Sequence, residues 1–187
     1  MSNPVVCPWW LGYFLISPLR RLMQNPNRMV RRYVKPGMIV FEPGPGMGFF
    51  TLPLAREVGN HGRVIVSEIQ PKMLEQLAKR ATKDNLQKRI GLRLVQPDSL
   101  GLADRKADVD LVWAFAVVHE LPDLRSFFHE VVRILKPGAW ILVAEPQHHV
   151  TQAQFETELA VALQEGLELI ERPSIPRSQG ALLRKKV

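Results

Sequence analysis

Val40-Phe41-Glu42-Pro43-Gly44-Pro45-Gly46-Met47-Gly48 is the stretch on which the fold turns. It starts as the tail of a continuous apolar run from Met38 to Phe41, the pattern of a strand buried on both faces. Three glycines at alternate positions follow, and a helix is expected from near Phe49. Glycines at such a turn let the backbone come close to a ligand, and the helix N-terminus offers unpaired amides. A dinucleotide loop wants Gly-x-Gly-x-x-Gly, with the third glycine allowing tight helix–strand packing. Here that third position is Phe49, and the glycines fall at 44, 46 and 48. Glu42, two residues before the first glycine, would repel a pyrophosphate but favour a cationic ligand. The spacing therefore disfavours NAD.

Outward from this loop, short apolar runs alternate with amphipathic stretches, as in an α/β fold with a parallel sheet. Further strands are expected over Arg63–Ser67, Gly91–Val95, Val109–Val112 and Ala139–Ala144. Pro71 suits a first helical position, with Met73, Leu74, Leu77, Ala78 and Ala81 following at helical spacing. Asp123 is placed to cap a helix burying Phe127, Phe128, Val131, Val132 and Leu135, which Lys136-Pro137-Gly138 should terminate. Thr151 and Gln154 make a capping box for a helix with Phe155, Leu159, Ala162 and Leu163 on its buried face, ended by Gly166. Two extended segments remain, Leu167–Arg172 and Ala181–Lys186. The gap between them is too short for a crossover helix, so they should pair as an antiparallel hairpin. Five parallel strands and this hairpin make a seven-stranded sheet. Residues before 38 read as two short helices, broken at Asn25-Pro26, lying over the core.

Polar residues gather where these strands end, the edge at which open α/β sheets bind ligands. Glu68 closes the second strand, as expected of a carboxylate accepting both hydroxyls of a ribose. Gln96-Pro97-Asp98-Ser99 closes the third, placing an acceptor for an adenine amino group. Strand four ends at Trp113-Ala114-Phe115, where a backbone carbonyl could accept from an ammonium group. Each acid also has a structural explanation, as a helix N-terminal charge or a turn former.

The chain has 187 residues, enough for one domain, and an ordinary globular composition with 46% hydrophobic and 23% charged residues. Its longest apolar stretch, Trp9 to Ile16, is too short for a membrane span, and the Met1-Ser2-Asn3-Pro4 start lacks the basic residues of a signal. Cys7 is the only cysteine, so no disulfide framework or multi-thiolate metal site is available, and a reducing, cytoplasmic setting is the simplest fit. The net charge of +7 sits at the ends: residues 1–41 and 172–187 carry basic but no acidic residues. Such ends suit an anionic substrate, nucleic acid or membrane surface, or simply a solvated face.

Val40 to Gly48, Glu68-Ile69 with Pro71-Lys72-Met73-Leu74, Gln96-Pro97-Asp98-Ser99, Val118-His119-Glu120-Leu121-Pro122-Asp123 and Leu135-Lys136-Pro137-Gly138 strongly resemble the class I S-adenosylmethionine-dependent methyltransferases. The resemblance covers about residues 30–187, in the style of the type 11 group, which is similar to quinone-ring C-methyltransferases. It implies a Rossmann-like three-layer sandwich forming one domain over 1–187. It implies S-adenosylmethionine as donor and S-adenosylhomocysteine as product. Glu42, Gly44, Gly46 and Gly48 would hold the methionine part, and Glu68 the ribose. Ile69 would pack on the adenine, Asp98 and Ser99 would edge it, and Ala114 would meet the amino acid end. Many members have Asp where Glu42 stands.

Methyl transfer from a sulfonium asks the protein mainly for positioning and exclusion of water. An oxygen, nitrogen or phenol-activated carbon acceptor adds the need for a base. His119 and Glu120, just past strand four, are the candidates, with His148 and His149 after strand five as further substrate-facing groups. Their spacing matches no zinc ligand set. Cys7-Pro8-Trp9-Trp10, with Leu11, Tyr13 and Phe14, is expected to fold over the cleft as a lid within an N-terminal helical segment, 1–35. Cys7 alone does not supply the thiols that an arsenite-methylating enzyme uses. The leading expectation is a small or lipid-like organic acceptor. Alternatives are an RNA or protein methyltransferase, held by the basic ends, or a non-catalytic S-adenosylmethionine-binding module. An oxidoreductase is disfavoured by Phe49 and by the lack of Tyr-x-x-x-Lys at Tyr13 or Tyr33.

Overall fold

The computed structural model describes residues 24–187. Seven strands form one sheet in the order β3-β2-β1-β4-β5-β7-β6, and the residues divide into two compact units, 24–96 and 97–187.

In the first unit, α1 (Pro26–Tyr33) begins at an Asn25 cap whose side chain accepts from the Arg28 amide at 3.1 Å. It continues through β1 (Ile39–Pro43), α2 (Thr51–Glu57), β2 (Arg63–Glu68), α3 (Pro71–Lys83) and β3 (Ile90–Leu94). β1 and β2 pair in parallel with Glu42 beside Val66, and β2 pairs in parallel with β3. Val40, Phe41, Val64 and Val66 are fully buried, the continuous apolar signal of an interior parallel strand. α3 buries Met73, Leu74, Leu77 and Ala81 as its spacing predicts. α2 begins at Thr51, two residues later than expected, because 46–50 complete the glycine turn first.

The second unit contains β4 (Val109–Phe115), a 3-10 turn (Val118–Glu120), α4 (Leu124–Ile134), β5 (Leu135–Pro146), α5 (Gln152–Gln164), β6 (Leu167–Glu171) and β7 (Ser178–Lys185). β4 and β5 are parallel, while β7 runs antiparallel to both β5 and β6. The expected terminal hairpin is present, with β7 starting three residues before Ala181. Asp123 caps α4 through the Arg125 and Ser126 amides, at 2.9 and 3.1 Å, and Thr151 and Gln154 form their capping box on α5.

Two expectations are corrected here. α4 ends at Ile134, just before Lys136-Pro137-Gly138 as expected, but β5 starts at Leu135 and not at Ala139, so Leu135 and these three residues lie inside the strand, where the register against β4 jumps between Val109 and Leu111. A bulge tolerates a proline without an amide and a glycine at φ 75° (Gly138), so the breakers sit within the strand. On α5, Glu158 lies in the buried stripe with Phe155, Leu159 and Ala162, whereas Leu163 is 42% exposed. Of the expected N-terminal helical segment, only residues 24–35 are described; Cys7, Trp9, Trp10 and the rest of the lid segment lie outside the described residues. No described helix is long and apolar enough to cross a membrane.

Candidate functional site

The first unit holds Glu42, Gly44, Gly46, Gly48, Glu68 and Ile69. Glu42 ends the apolar part of β1 and is buried, so its carboxyl needs a partner. It finds one in the first turn of α2, where the Thr51 hydroxyl donates to Glu42 Oε2 at 2.6 Å. Burial pushes the Glu42 carboxyl up to about 8, with the Thr51 hydroxyl pulling it down and the nearby Glu68 carboxylate adding to the rise. The carboxyl is thus mostly protonated at neutral pH, and a cation beside it would draw the proton off.

Glu68, at the end of β2, is also buried. Its Oε1 accepts from the amides of Ile69 and Gln70 at 2.9 and 3.0 Å, and its Oε2 from the Gly46 amide at 3.2 Å. Burial raises its pKa against the pull of these three amides. A carboxylate offers about four acceptor positions. With three taken by backbone, a ribose diol would share or displace one, and the Gly46 contact is the longest of them. Ile69 is half-exposed beside it, as a residue packing on a flat ring should be.

The loop needs its glycines for two separate reasons. Gly44, Gly46 and Gly48 have φ of 62°, 53° and 86°, a left-handed conformation that side chains disfavour. At Gly48 a Cβ would also lie 2.4 Å from Leu77 Cδ1, so this glycine serves the packing of α3. At Gly46 a Cβ would meet nothing within 4 Å. That position lies over open space.

Asp98, Ser99, Ala114, His119 and Glu120 belong to the second unit. Asp98 and Ser99 are exposed in a turn, with Ser99 Oγ accepting from the Gly101 amide at 3.0 Å. Ala114 is fully buried in β4, opposite Val143, which leaves only its backbone for any ligand role. After β4 the chain turns sharply at Ala116, a non-glycine residue at φ 55°, into the 3-10 turn that carries His119 and Glu120.

His119 is held by Glu145, which the sequence reading did not single out. Glu145 is fully buried near the end of β5; its Oε1 accepts from the Val117 and Val118 amides at 3.2 and 2.8 Å, and its Oε2 is paired with His119 Nδ1. The hydrogen bond to Glu145 raises the His119 pKa above its ordinary value, burial opposing it. Glu158 of α5 is buried with its Oε2 unpartnered. Burial lifts it to about 7, the Glu145 charge adding to the rise and His119 opposing it. His149 stacks on His119 with ring centroids 5.9 Å apart and has His148 at 4.3 Å on its other side. Its pKa is lowered, first by burial and then by the two neighbouring histidines.

Thr51 was also missed, although a hydroxyl in the first helical turn after the glycines was a usable signal. The signal for Glu145 was Glu145-Pro146 closing β5, which repeats the Glu42-Pro43 end of β1. Glu158 gave none. No group of three His, Cys, Asp or Glu side chains among the described residues is arranged to hold a metal ion.

The model of a family described as "Methyltransferase domain" matches residues 41–143. A demethylmenaquinone methyltransferase of Lactobacillus johnsonii is 32% identical over 112 residues, 60% of this chain and 45% of that protein. An arsenite methyltransferase of Halobacterium salinarum is 29% identical over 110 residues, 59% of this chain and 27% of that protein. The chain thus spans less than half the length of either relative. Among solved structures, a SAM-dependent methyltransferase from Aquifex aeolicus superposes with a TM-score of 0.83 at 22% identity, covering 97% of this chain and all of that one. That likeness extends over the seven-stranded sheet.

Proposed function

The chain belongs to the methyltransferase-domain family, and from that premise we propose that it is an S-adenosylmethionine-dependent methyltransferase acting on a small or lipid-like organic acceptor. The observation that carries this reading is Glu42, a buried carboxyl beside a glycine loop with a single hydroxyl partner. Burying such a group carries a cost that a cation arriving beside it would offset. The residues fit the donor: two carboxylates at the ends of neighbouring parallel strands, and at Gly46 an open face over the loop.

Bound there, S-adenosylmethionine supplies an electrophilic methyl group on a sulfur that is already a good leaving group. Glu42 and the glycine loop would hold the cationic methionine end, and Glu68 the ribose hydroxyls. Ile69 would cover the adenine, Asp98 and Ser99 would meet its edge, and the Ala114 backbone would accept from the ammonium group. His119 would take the acceptor's proton, and Glu120 would stand beside it in the same turn.

The acceptor class draws support from the relative named for demethylmenaquinone, since a phenol-activated ring carbon benefits from a base such as His119. Arsenite, named for the other relative, fits less well with Cys7 as the only thiol. Calorimetry with S-adenosylhomocysteine and with NAD tests the donor. Micromolar binding of the first and none of the second is expected, and binding of NAD alone would overturn the reading.

A further inference from the structure

We propose that Glu145 is the positioning residue of His119, holding the neutral imidazole as its Nδ1–H tautomer with Nε2 as the proton-accepting nitrogen, and that Glu158 is a buried neighbour whose charge acts on that pair. The use of Nε2 toward a methyl acceptor rests on the methyltransferase reading. The tautomer does not.

One carboxylate performs two tasks here. Through Oε1, Glu145 gathers the amides of Val117 and Val118, the two residues that lead into the 3-10 turn carrying His119. Through Oε2 it pairs with the imidazole at Nδ1. Backbone and ring are therefore positioned from the same point, a fully buried group at the carboxyl end of β5. A carboxylate accepts and does not donate, so the nitrogen facing it must bear the hydrogen. The neutral ring is left with its lone pair on Nε2, and the His119 side chain is 22% exposed, so that nitrogen can be reached.

Glu158 completes the cluster from α5. Its Oε2 is buried without a hydrogen-bond partner, which is tolerable for a protonated carboxyl and costly for an ionised one. With pressure from Glu145 and relief from His119, it titrates near 7. The charged and titratable groups facing His119 are thus Glu145 from β5, Glu158 from α5, Glu120 from its own turn, and His149 stacked on its ring with His148 behind. Three carboxylates favour the imidazolium that forms when Nε2 accepts a proton. The proton removed from an acceptor O–H, N–H or activated C–H resides on Nε2 and then leaves to solvent, returning the ring to its starting tautomer.

Long-range proton–nitrogen NMR on the uniformly 15N-labelled protein reads the tautomer directly, with no variant and no substrate. At a pH above the His119 midpoint, Nδ1 is expected to carry the hydrogen and Nε2 to show the shift of an unprotonated nitrogen. The reverse assignment would overturn the proposal. In Glu145→Gln the amide can still accept from Val117 and Val118, but its NH2 would donate to Nδ1. The tautomer should then flip, and the His119 midpoint should fall by at least one pH unit; an unchanged tautomer and midpoint would also overturn it. Glu158→Gln removes the neighbour's charge without flipping the ring, so a smaller downward shift is expected, and none would remove Glu158 from the cluster. Binding of S-adenosylhomocysteine to the same sample reports on the methyltransferase reading separately. The expected tautomer with no such binding would retain the Glu145 assignment and discard the methyl-transfer role of Nε2.

Discussion

β1 and β5 end in the same dipeptide, Glu42-Pro43 and Glu145-Pro146, and both glutamates are buried. Their surroundings differ in one respect that decides what each can do. Glu145 meets two amides and an imidazole, so every part of it is answered from within the protein. Glu42 meets one hydroxyl and a second carboxylate. The first is a finished structural device, whereas the second, on the proposed reading, is completed by a cation from outside. Identical strand endings thus yield an organiser in one place and a proposed receptor in the other, and the donors nearby make the difference.

The sharpest way to break this contrast is to neutralise each glutamate in turn. Glu42→Gln should weaken S-adenosylhomocysteine binding by about a hundredfold or more, the order expected when one partner of a desolvated charge pair is lost. Folding should be preserved, because the native carboxyl is already mostly protonated without ligand. Glu145→Gln should leave that dissociation constant within about threefold, so calorimetry on the two variants would expose a false distinction at once.

Acidity provides the next test. The ligand-free Glu42 carboxyl titrates near 8, and a cationic ligand favours its ionised form. Below 8 the ligand must therefore expel a proton, and affinity should fall by up to about tenfold per pH unit between 8 and 6. Calorimetry in buffers of different ionisation enthalpy should show proton release on binding, and Glu42→Gln should abolish it.

Glu68→Ala should cost about tenfold in affinity, the lower end of the roughly 1.5–3 kcal/mol typical of hydrogen bonds to a charged group. It also deprives the amides of Gly46, Ile69 and Gln70 of their acceptor, so a melting temperature lowered by several degrees should accompany the loss.

The smallest effect concerns stability in the second unit. Glu158 titrates near 7 in the folded protein against about 4.5 for an unhindered carboxyl. The folded state therefore holds this proton more tightly, and the associated stability, complete below 4.5, is lost as pH rises through 7. Glu158→Gln should gain about 1–2 kcal/mol in denaturant unfolding at pH 8.5 and close to nothing at pH 4.

What the sequence disclosed depended on whether a polar residue interrupted a pattern. Glu42, Glu68 and the glycines break apolar runs at strand ends, so they stand out, and the parallel strands were legible for the same reason. Glu158 interrupts nothing: on an amphipathic helix one more charge reads as a solvated face, and only tertiary packing puts it inward while Leu163 turns out. Lys136-Pro137-Gly138 misled in the opposite way, since the residues that stop a helix also make a bulge. Glu145 was readable in principle from its likeness to Glu42. Its partnership with His119 was not, because it joins positions 26 residues apart in the chain.

Ala116 has a consequence for reach. Its left-handed corner takes the main chain from the end of β4 to the imidazole-bearing turn in a single step, and its amide is pinned to the Ala144 carbonyl at 2.7 Å. So short a tether fixes the main chain of the turn that carries His119. A molecule seeking its nitrogen must be delivered to a stationary point, and the shape of that molecule, more than any swing of the side chain, will govern which atom is presented.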